Sequence, residues 1–159
     1  MNPDGRFTVL IVDDEEMVTT SLRSFLELET EYEVVTFTDP REAIEFAKTN
    51  PVDLVVSDYL MPEVDGISLL LQIKALRPNA TRVLLTGYAD KENAIKAIND
   101  VGLYQYIEKP WENADLRLVI QNGLERSELL SKLTEKVREV EKAHGELMGI
   151  QNDLLKVFI

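Results

Sequence analysis

The stretch VLIVDDEEM, Val9 to Met17, sets four acids directly after a run of aliphatic residues. The aliphatic half has the length and β-branched character of a buried strand. The acidic half has one simple use, since Asp and Glu in a first helical turn meet unpaired amides and the positive end of the helix dipole. Glu15 and Glu16 fit that use. Two adjacent aspartates, Asp13 and Asp14, at the carboxyl end of a strand ask for more, because open α/β sheets hold their ligands at that edge.

Outward from this segment, strands alternate with helices. Phe7–Val12, Tyr32–Phe37, Val52–Ser57, Thr81–Thr86 and Tyr104–Lys109 are short and rich in β-branched or aromatic residues. Between them lie helical stretches at Glu15–Glu29, Pro40–Thr49, Gly66–Leu76 and Lys91–Val101. Asp39-Pro40 and Asp90 read as helix starts, and Asn50-Pro51 and Arg77–Asn79 as stops. The pattern predicts an α/β fold with a five-stranded parallel sheet.

A chain of 159 residues, 45% of them hydrophobic, buries one good core and little more. We expect a compact domain over residues 1–124 and a helical extension over 125–159. With no cysteine, disulfides, thiolate metal sites and a Cys nucleophile are excluded. The opening MNPDGRF lacks a signal pattern, and no apolar run approaches the roughly 20 residues needed to cross a bilayer. A soluble, cytoplasmic protein with no membrane partner is expected. The net charge of -12 is concentrated in residues 1–112, which hold 10 Lys and Arg against 21 Asp and Glu. Such a body argues against direct nucleic-acid binding, which needs clustered cations, and is compatible with a cation site.

Reading the last residue of each strand collects the chemistry. Strand one ends at Asp13-Asp14, strand three at Asp58 in VVSDYLMPEVDG, strand four at Thr86 in LLTGYA and strand five at Lys109 in IEKPW. Three carboxylates at one edge repel, and a hard dication resolves the repulsion. Oxygen-only ligands favour Mg²⁺ or Mn²⁺ over zinc. Lys109 supplies a fixed positive charge for an anionic group, and Thr86 a hydrogen-bond donor. That set suits phosphoryl transfer to a carboxylate. Taken singly, each residue has an ordinary use: an Asp as a helix cap, Lys109 as a solvated loop residue, Thr86 as a strand end. Glu63 and Asp65 shape the loop before Gly66, whose freedom serves the turn. The sole histidine, His144, is far from this edge.

The ordered set VDDEE, SDYLMPEVDG, LLTGYAD and YIEKPW resembles the receiver domain of bacterial two-component response regulators, over roughly residues 7 to 125. The resemblance implies a flavodoxin-like (CheY-like) sheet of order 2-1-3-4-5. It implies that Asp58 is the phosphoacceptor, Asp14 a direct metal ligand, Asp13 the acid that orients metal-bound water, and the backbone carbonyl of Leu60 a further ligand. Thr86 and Tyr106 match the switch pair, Lys109 the phosphate-binding lysine and Pro110 a cis-proline. By the same resemblance, Asp58 attacks a phosphohistidine of a sensor histidine kinase or phosphotransfer protein, with Mg²⁺ (or Mn²⁺) as cofactor. The chain would then be a signalling domain with at most slow self-dephosphorylation. Leu60 and Tyr88, two residues after Asp58 and Thr86, are bulky and offer little to orient a hydrolytic water.

Two other classes compete. An aspartyl-phosphate hydrolase of related architecture usually carries a second Asp two residues after the nucleophile, where this chain has Leu60. A nucleotide or flavin binder would need a glycine-rich loop after strand one, where acids stand instead.

From Asn113, read as an N-cap, the chain continues as one long helix. Spacings of three and four alternate through Leu130, Leu133, Val137, Val140, His144, Leu147, Gln151, Leu154 and Phe158. This predicts a parallel two-stranded coiled coil and a homodimer, with Lys136 and Glu141 placed for a cross-strand pair. The ending LLKVFI lacks a cap, as in a chain that continues to an output domain. YQYIEKPW followed by such a helix resembles regulators that lead into an HD-GYP phosphodiesterase, and also AAA+ activators and kinase-associated regulators.

Overall fold

The computed structural model describes residues 1–87, 90–97 and 102–158, and the side chains of all of these except 97 and 150–158. Strands β1 (Thr8–Val12), β2 (Glu33–Phe37), β3 (Leu54–Asp58), β4 (Thr81–Thr86) and β5 (Gln105–Glu108) form one parallel sheet in the order 2-1-3-4-5. Helices α1 (Glu16–Glu29), α2 (Pro40–Thr49), α3 (Gly66–Leu76), α4 (Lys91–Ala97) and α5 (Asn113–Phe158) follow the strands in turn. The flavodoxin-like architecture expected from the sequence is thus present. For α4 the expected end at Val101 lies outside the described residues.

The chain divides into two compact units, Met1–Glu128 and Leu129–Ile159. The first holds the sheet. The second is helical.

Every residue of β1, β3 and β4 is buried. This is why these segments read as continuous aliphatic runs instead of alternating ones. Their side chains divide by parity. Leu10, Val12, Val55 and Leu84 pack with Ala43 and Ala47 of α2 and Leu69 and Ile73 of α3. Val9, Ile11, Val56 and Leu85 pack on the opposite face with Leu22 and Leu26 of α1 and Leu116, Ile120 and Leu124 of α5.

Helix boundaries follow local chemistry. Asp39 caps α2, its side chain accepting from the Arg41 amide at 2.9 Å with Pro40 as the first helical residue. Asp65 caps α3 in the same way, accepting from the Ser68 amide at 2.7 Å. Asn50 and Arg77 close α2 and α3 where the proline-containing stops were read. Asn113 is the first residue of α5 and not its cap. The Leu116 amide donates to the Glu112 carbonyl at 3.0 Å, which moves the cap one residue back.

The loop between β3 and α3 departs from expectation in an informative way. Its left-handed residue is Glu63, at φ 69°, and Gly66 is not among the positive-φ residues. Gly66 is needed for space: a Cβ there would stand 2.1 Å from the Asp58 carbonyl oxygen. At the other end of the sheet, a Cβ on Gly123 would meet Leu54 Cδ1 at 2.7 Å and Thr81 Cγ2 at 3.1 Å. That close approach lets the buried Thr81 hydroxyl donate to the Gly123 carbonyl at 2.7 Å, fixing α5 against the start of β4.

Candidate functional site

The carboxyl ends of β1, β3, β4 and β5 meet at one edge of the sheet. The β1 residue Val12 is paired beside Ser57 of β3, Asp58 beside Leu85 of β4, and Thr86 beside Glu108 of β5. Each acid or base is therefore delivered by a strand that has just ended.

Asp13 is fully buried, Asp58 is 7% exposed and Asp14 is exposed. One carboxylate oxygen from each lies within 4.8 Å of the others. The sequence placed these three residues at one edge, and the structure brings them together. Asp13 is held by two contacts: Oδ1 accepts from the Glu15 amide at 2.9 Å, and Oδ2 lies 3.1 Å from Lys109 Nζ. Asp58 Oδ1 accepts from the Tyr59 amide at 3.0 Å and lies 3.0 Å from the same ammonium. The Lys109 amide donates to the Thr86 carbonyl at 2.7 Å, which fixes the loop carrying that lysine. The Lys109–Pro110 bond is cis.

The electrostatics follow from one ammonium shared between Asp13 and Asp58, with the Asp14 carboxylate close by. Burial raises the Asp13 carboxyl above the usual Asp range; the Glu15 amide and Lys109 oppose that, and Asp14 adds to it. Burial likewise raises Asp58, with Lys109 opposing and Asp13 and Asp14 reinforcing. For Lys109, burial works against the charge, but the hydrogen bonds and charges of Asp58 and Asp13 outweigh it and the ammonium is strengthened. The partners thus shift in opposite senses with respect to ionisation. The two results agree physically: Lys109 has two acids against its one charge, whereas the buried acids share a single ammonium among the described residues. An all-oxygen donor set with surplus negative charge fits a hard dication such as Mg²⁺ or Mn²⁺.

Thr86 is fully buried, and its Oγ1 has no hydrogen-bond partner among the described residues. Buried hydroxyls are normally satisfied, so this one stands out at the carboxyl end of β4. In the β4–β5 register Leu84 sits beside Tyr106 and Thr86 beside Glu108, which puts Thr86 and Tyr106 on the same sheet face. The Tyr106 ring is half-buried, packs on the core and lines an open groove with Trp111, Glu112 and Leu118. Leu60, in the loop between β3 and α3, is 60% exposed. Tyr88, paired with Leu60 in the sequence reading, lies outside the described residues.

Two functional details were missed from sequence. Asp65 is the cap of α3, a role that its position before Gly66 could have suggested. Glu63 reaches Arg41 Nη1 at 3.1 Å, and Arg41 also pairs with Asp39 at 3.2 Å, which joins the loop between β3 and α3 to the start of α2. No local pattern reveals that contact, since it spans two separate loops.

Comparisons with known proteins point one way. A family model described as the response regulator receiver domain matches residues 9–121. The hydrogenase transcriptional regulatory protein HoxA of Cupriavidus necator is 36% identical over 108 residues, which make up 68% of this chain and 22% of HoxA. Among solved structures, an uncharacterised protein from Neptuniibacter caesariensis superposes with a TM-score of 0.76 at 36% identity, covering 79% of this chain and 93% of that one. The signal receiver domain of an HD domain-containing protein from Pseudomonas fluorescens Pf-5 gives 0.72 at 34% identity, covering 77% and 98%. The chain spans about a quarter of the length of such curated relatives as HoxA. No helix among the described residues is long and apolar enough to cross a membrane.

Proposed function

This chain belongs to the response regulator receiver family, and from that premise we propose that Asp58 is its phosphoacceptor. The phosphoryl group comes from a histidine kinase or a phosphotransfer protein. The unit is a signalling domain whose product is its own modified side chain. The observation that supports the assignment is the position of Asp58 at the end of β3: it has Lys109 Nζ at 3.0 Å and the oxygens of Asp13 and Asp14 within 4.8 Å, and it keeps some exposure where Asp13, paired with the same lysine, is fully buried.

In the transfer, a carboxylate oxygen of Asp58 attacks phosphorus in line with the phosphorus–nitrogen bond of the donor phosphohistidine. The oxygen–phosphorus bond forms as the phosphorus–nitrogen bond breaks, and the imidazole nitrogen keeps the bonding pair. Lys109 neutralises the phosphoryl oxygens, and its ties to Asp13 and the Thr86 carbonyl hold it in place for that task. Asp13, Asp14 and Asp58, with the Leu60 backbone carbonyl, would hold Mg²⁺ or Mn²⁺, which when bound offsets the negative charge of the transferring group. The Thr86 hydroxyl, without a partner among the described residues, donates a hydrogen bond to the new phosphoryl oxygen, and Tyr106, on the same face, repacks in response. The exposed Leu60 has no group to orient a hydrolytic water, so the phosphoryl group is retained. The signal leaves through the Tyr106 face and through a homodimer formed by the C-terminal helix.

Treatment of wild type and Asp58→Asn with acetyl phosphate and Mg²⁺, followed by intact-mass measurement, tests the assignment. A single phosphoryl adduct is expected on wild type alone. Equal adduct on both proteins overturns it.

A further inference from the structure

Within the second unit, the exposed large apolar side chains among the described residues are Leu129, Leu133, Val137, Val140, Leu147 and Met148. Take Leu130, Val137 and His144 as heptad positions a, and Leu133, Val140 and Leu147 as positions d. Leu129 then falls at g and Met148 at e, so every one of those exposed residues lies on the a, d, e and g side. Positions b, c and f carry Lys132, Glu135, Arg138, Glu139, Lys142 and Glu146. A helix this polarised, with its apolar side open to water, is built for a partner.

The charges at the edge of the seam say which partner and in which direction. Among the described e and g positions, Lys136 at g and Glu141 at e are the charged residues, and they are opposite in sign and five residues apart. In a parallel, in-register pair, g of one helix faces e of the next heptad on the other, so Lys136 meets Glu141 of the second copy. The two-fold axis repeats the pair in reverse. In an antiparallel pair g faces g and e faces e, and both pairs are lost. Lys136 lies 3.3 Å from Glu139 of its own helix, and both are exposed, so exchanging partners costs little. The cross-strand pairs therefore set direction more than strength. Val137 at a and Leu133 and Leu147 at d follow the two-stranded preference, Leu130 at a and Val140 at d do not, and His144 at a is a polar layer of the kind that fixes register and strand number at some loss of stability.

We infer that this helix pairs with the same helix of a second copy as a parallel, in-register two-stranded coiled coil, with Lys136 across from Glu141. This deepens, and rests on, the homodimer proposed above.

The chain has no cysteine, so a single introduced thiol reports its own neighbour. Full-length Leu133→Cys, Leu147→Cys and the outward control Lys142→Cys are oxidised at micromolar concentration, beside light scattering on the unmodified chain. The expected result is a dimer in which Leu133→Cys and Leu147→Cys each link to themselves at least tenfold more than Lys142→Cys. Lys136→Glu and Glu141→Lys each weaken the dimer, and the double exchange restores it. A dimer without self-linking at 133 and 147 overturns the parallel register while the homodimer stands. A monomer by light scattering, with no linking at any position, overturns the homodimer itself.

Discussion

Gly66 packs directly on the peptide of Asp58: the space a Cβ would need at Gly66 is taken by the Asp58 carbonyl oxygen, 2.1 Å away. The Gly66 amide in turn donates to the Tyr59 carbonyl at 2.9 Å, so α3 begins against the backbone of Asp58 and Tyr59. The obstacle is main chain, and no rotamer change relieves it. Gly66→Ala is expected to destabilise the fold by about 3 kcal/mol, at the upper end of overpacking costs, and to slow labelling of Asp58. Urea denaturation followed by circular dichroism gives the first number. An unchanged midpoint would mean that the loop absorbs the methyl group.

Lys109→Gln is expected to cut the rate of labelling by acetyl phosphate about 10²-fold, the scale seen when one preorganised charge is removed from a transfer site. It also leaves the buried Asp13 without its cation. Because the folded state raises the Lys109 pKa, its stabilisation is full below the unfolded lysine value and is lost only as pH climbs through the folded one. Wild type should therefore show an alkaline loss of stability that Lys109→Gln lacks. Parallel alkaline titrations of the two proteins that superimpose would refute this.

Asp13 and Asp58 work in the opposite sense. Burial raises both carboxyls, so these groups favour the folded state when protonated, and that contribution declines as pH rises from the ordinary Asp value through the folded one. In chelator-containing buffer near neutrality, Asp13→Asn is expected to melt a few degrees above wild type, with the gap closing in acid. Added Mg²⁺ should stabilise wild type and narrow the gap, since a bound ion favours the folded form. A lower melting temperature for Asp13→Asn at neutral pH would show that its carboxylate is fully compensated.

Thr86→Val replaces a buried hydroxyl that has no partner among the described residues with a methyl group of similar size. The unmodified protein should gain about 1 kcal/mol, the lower end of the penalty for an unsatisfied buried group. After labelling, the difference should reverse, because only the threonine has a donor for the phosphoryl oxygen. Denaturation midpoints before and after acetyl phosphate treatment measure both signs, and a variant that is less stable before treatment rejects the argument.

The sheet was legible because its central strands are buried on both faces and therefore appear as aliphatic runs, and because Asp39-Pro40 and Arg77–Asn79 punctuate the helices between them. The identities gathered at the site edge were legible for a related reason: a strand that ends on Asp58 or Lys109 has only one place to put it. What stayed hidden depends on approach in space. Gly66 gave no sign that its missing side chain makes room for a neighbouring peptide. Glu63 gave none that it takes the left-handed backbone in that loop and reaches Arg41. Nor did the sequence reveal that Lys109 divides itself between Asp13 and Asp58, because residues almost a hundred positions apart meet only when the sheet is assembled.

Strand β4 carries Thr86 at one end and Thr81 at the other, and Thr81 is tied by its hydroxyl to the backbone of α5 at Gly123. Six residues of extended chain span roughly 20 Å, and extended chain is nearly inextensible along its axis. One short strand therefore joins the two places: its site end carries a hydroxyl with no partner among the described residues, and its far end is tied through the Thr81 side chain to α5. The ladders to β3 and β5 hold β4 in register, so the site edge and the Gly123 turn of α5 share a single stiff element of the sheet.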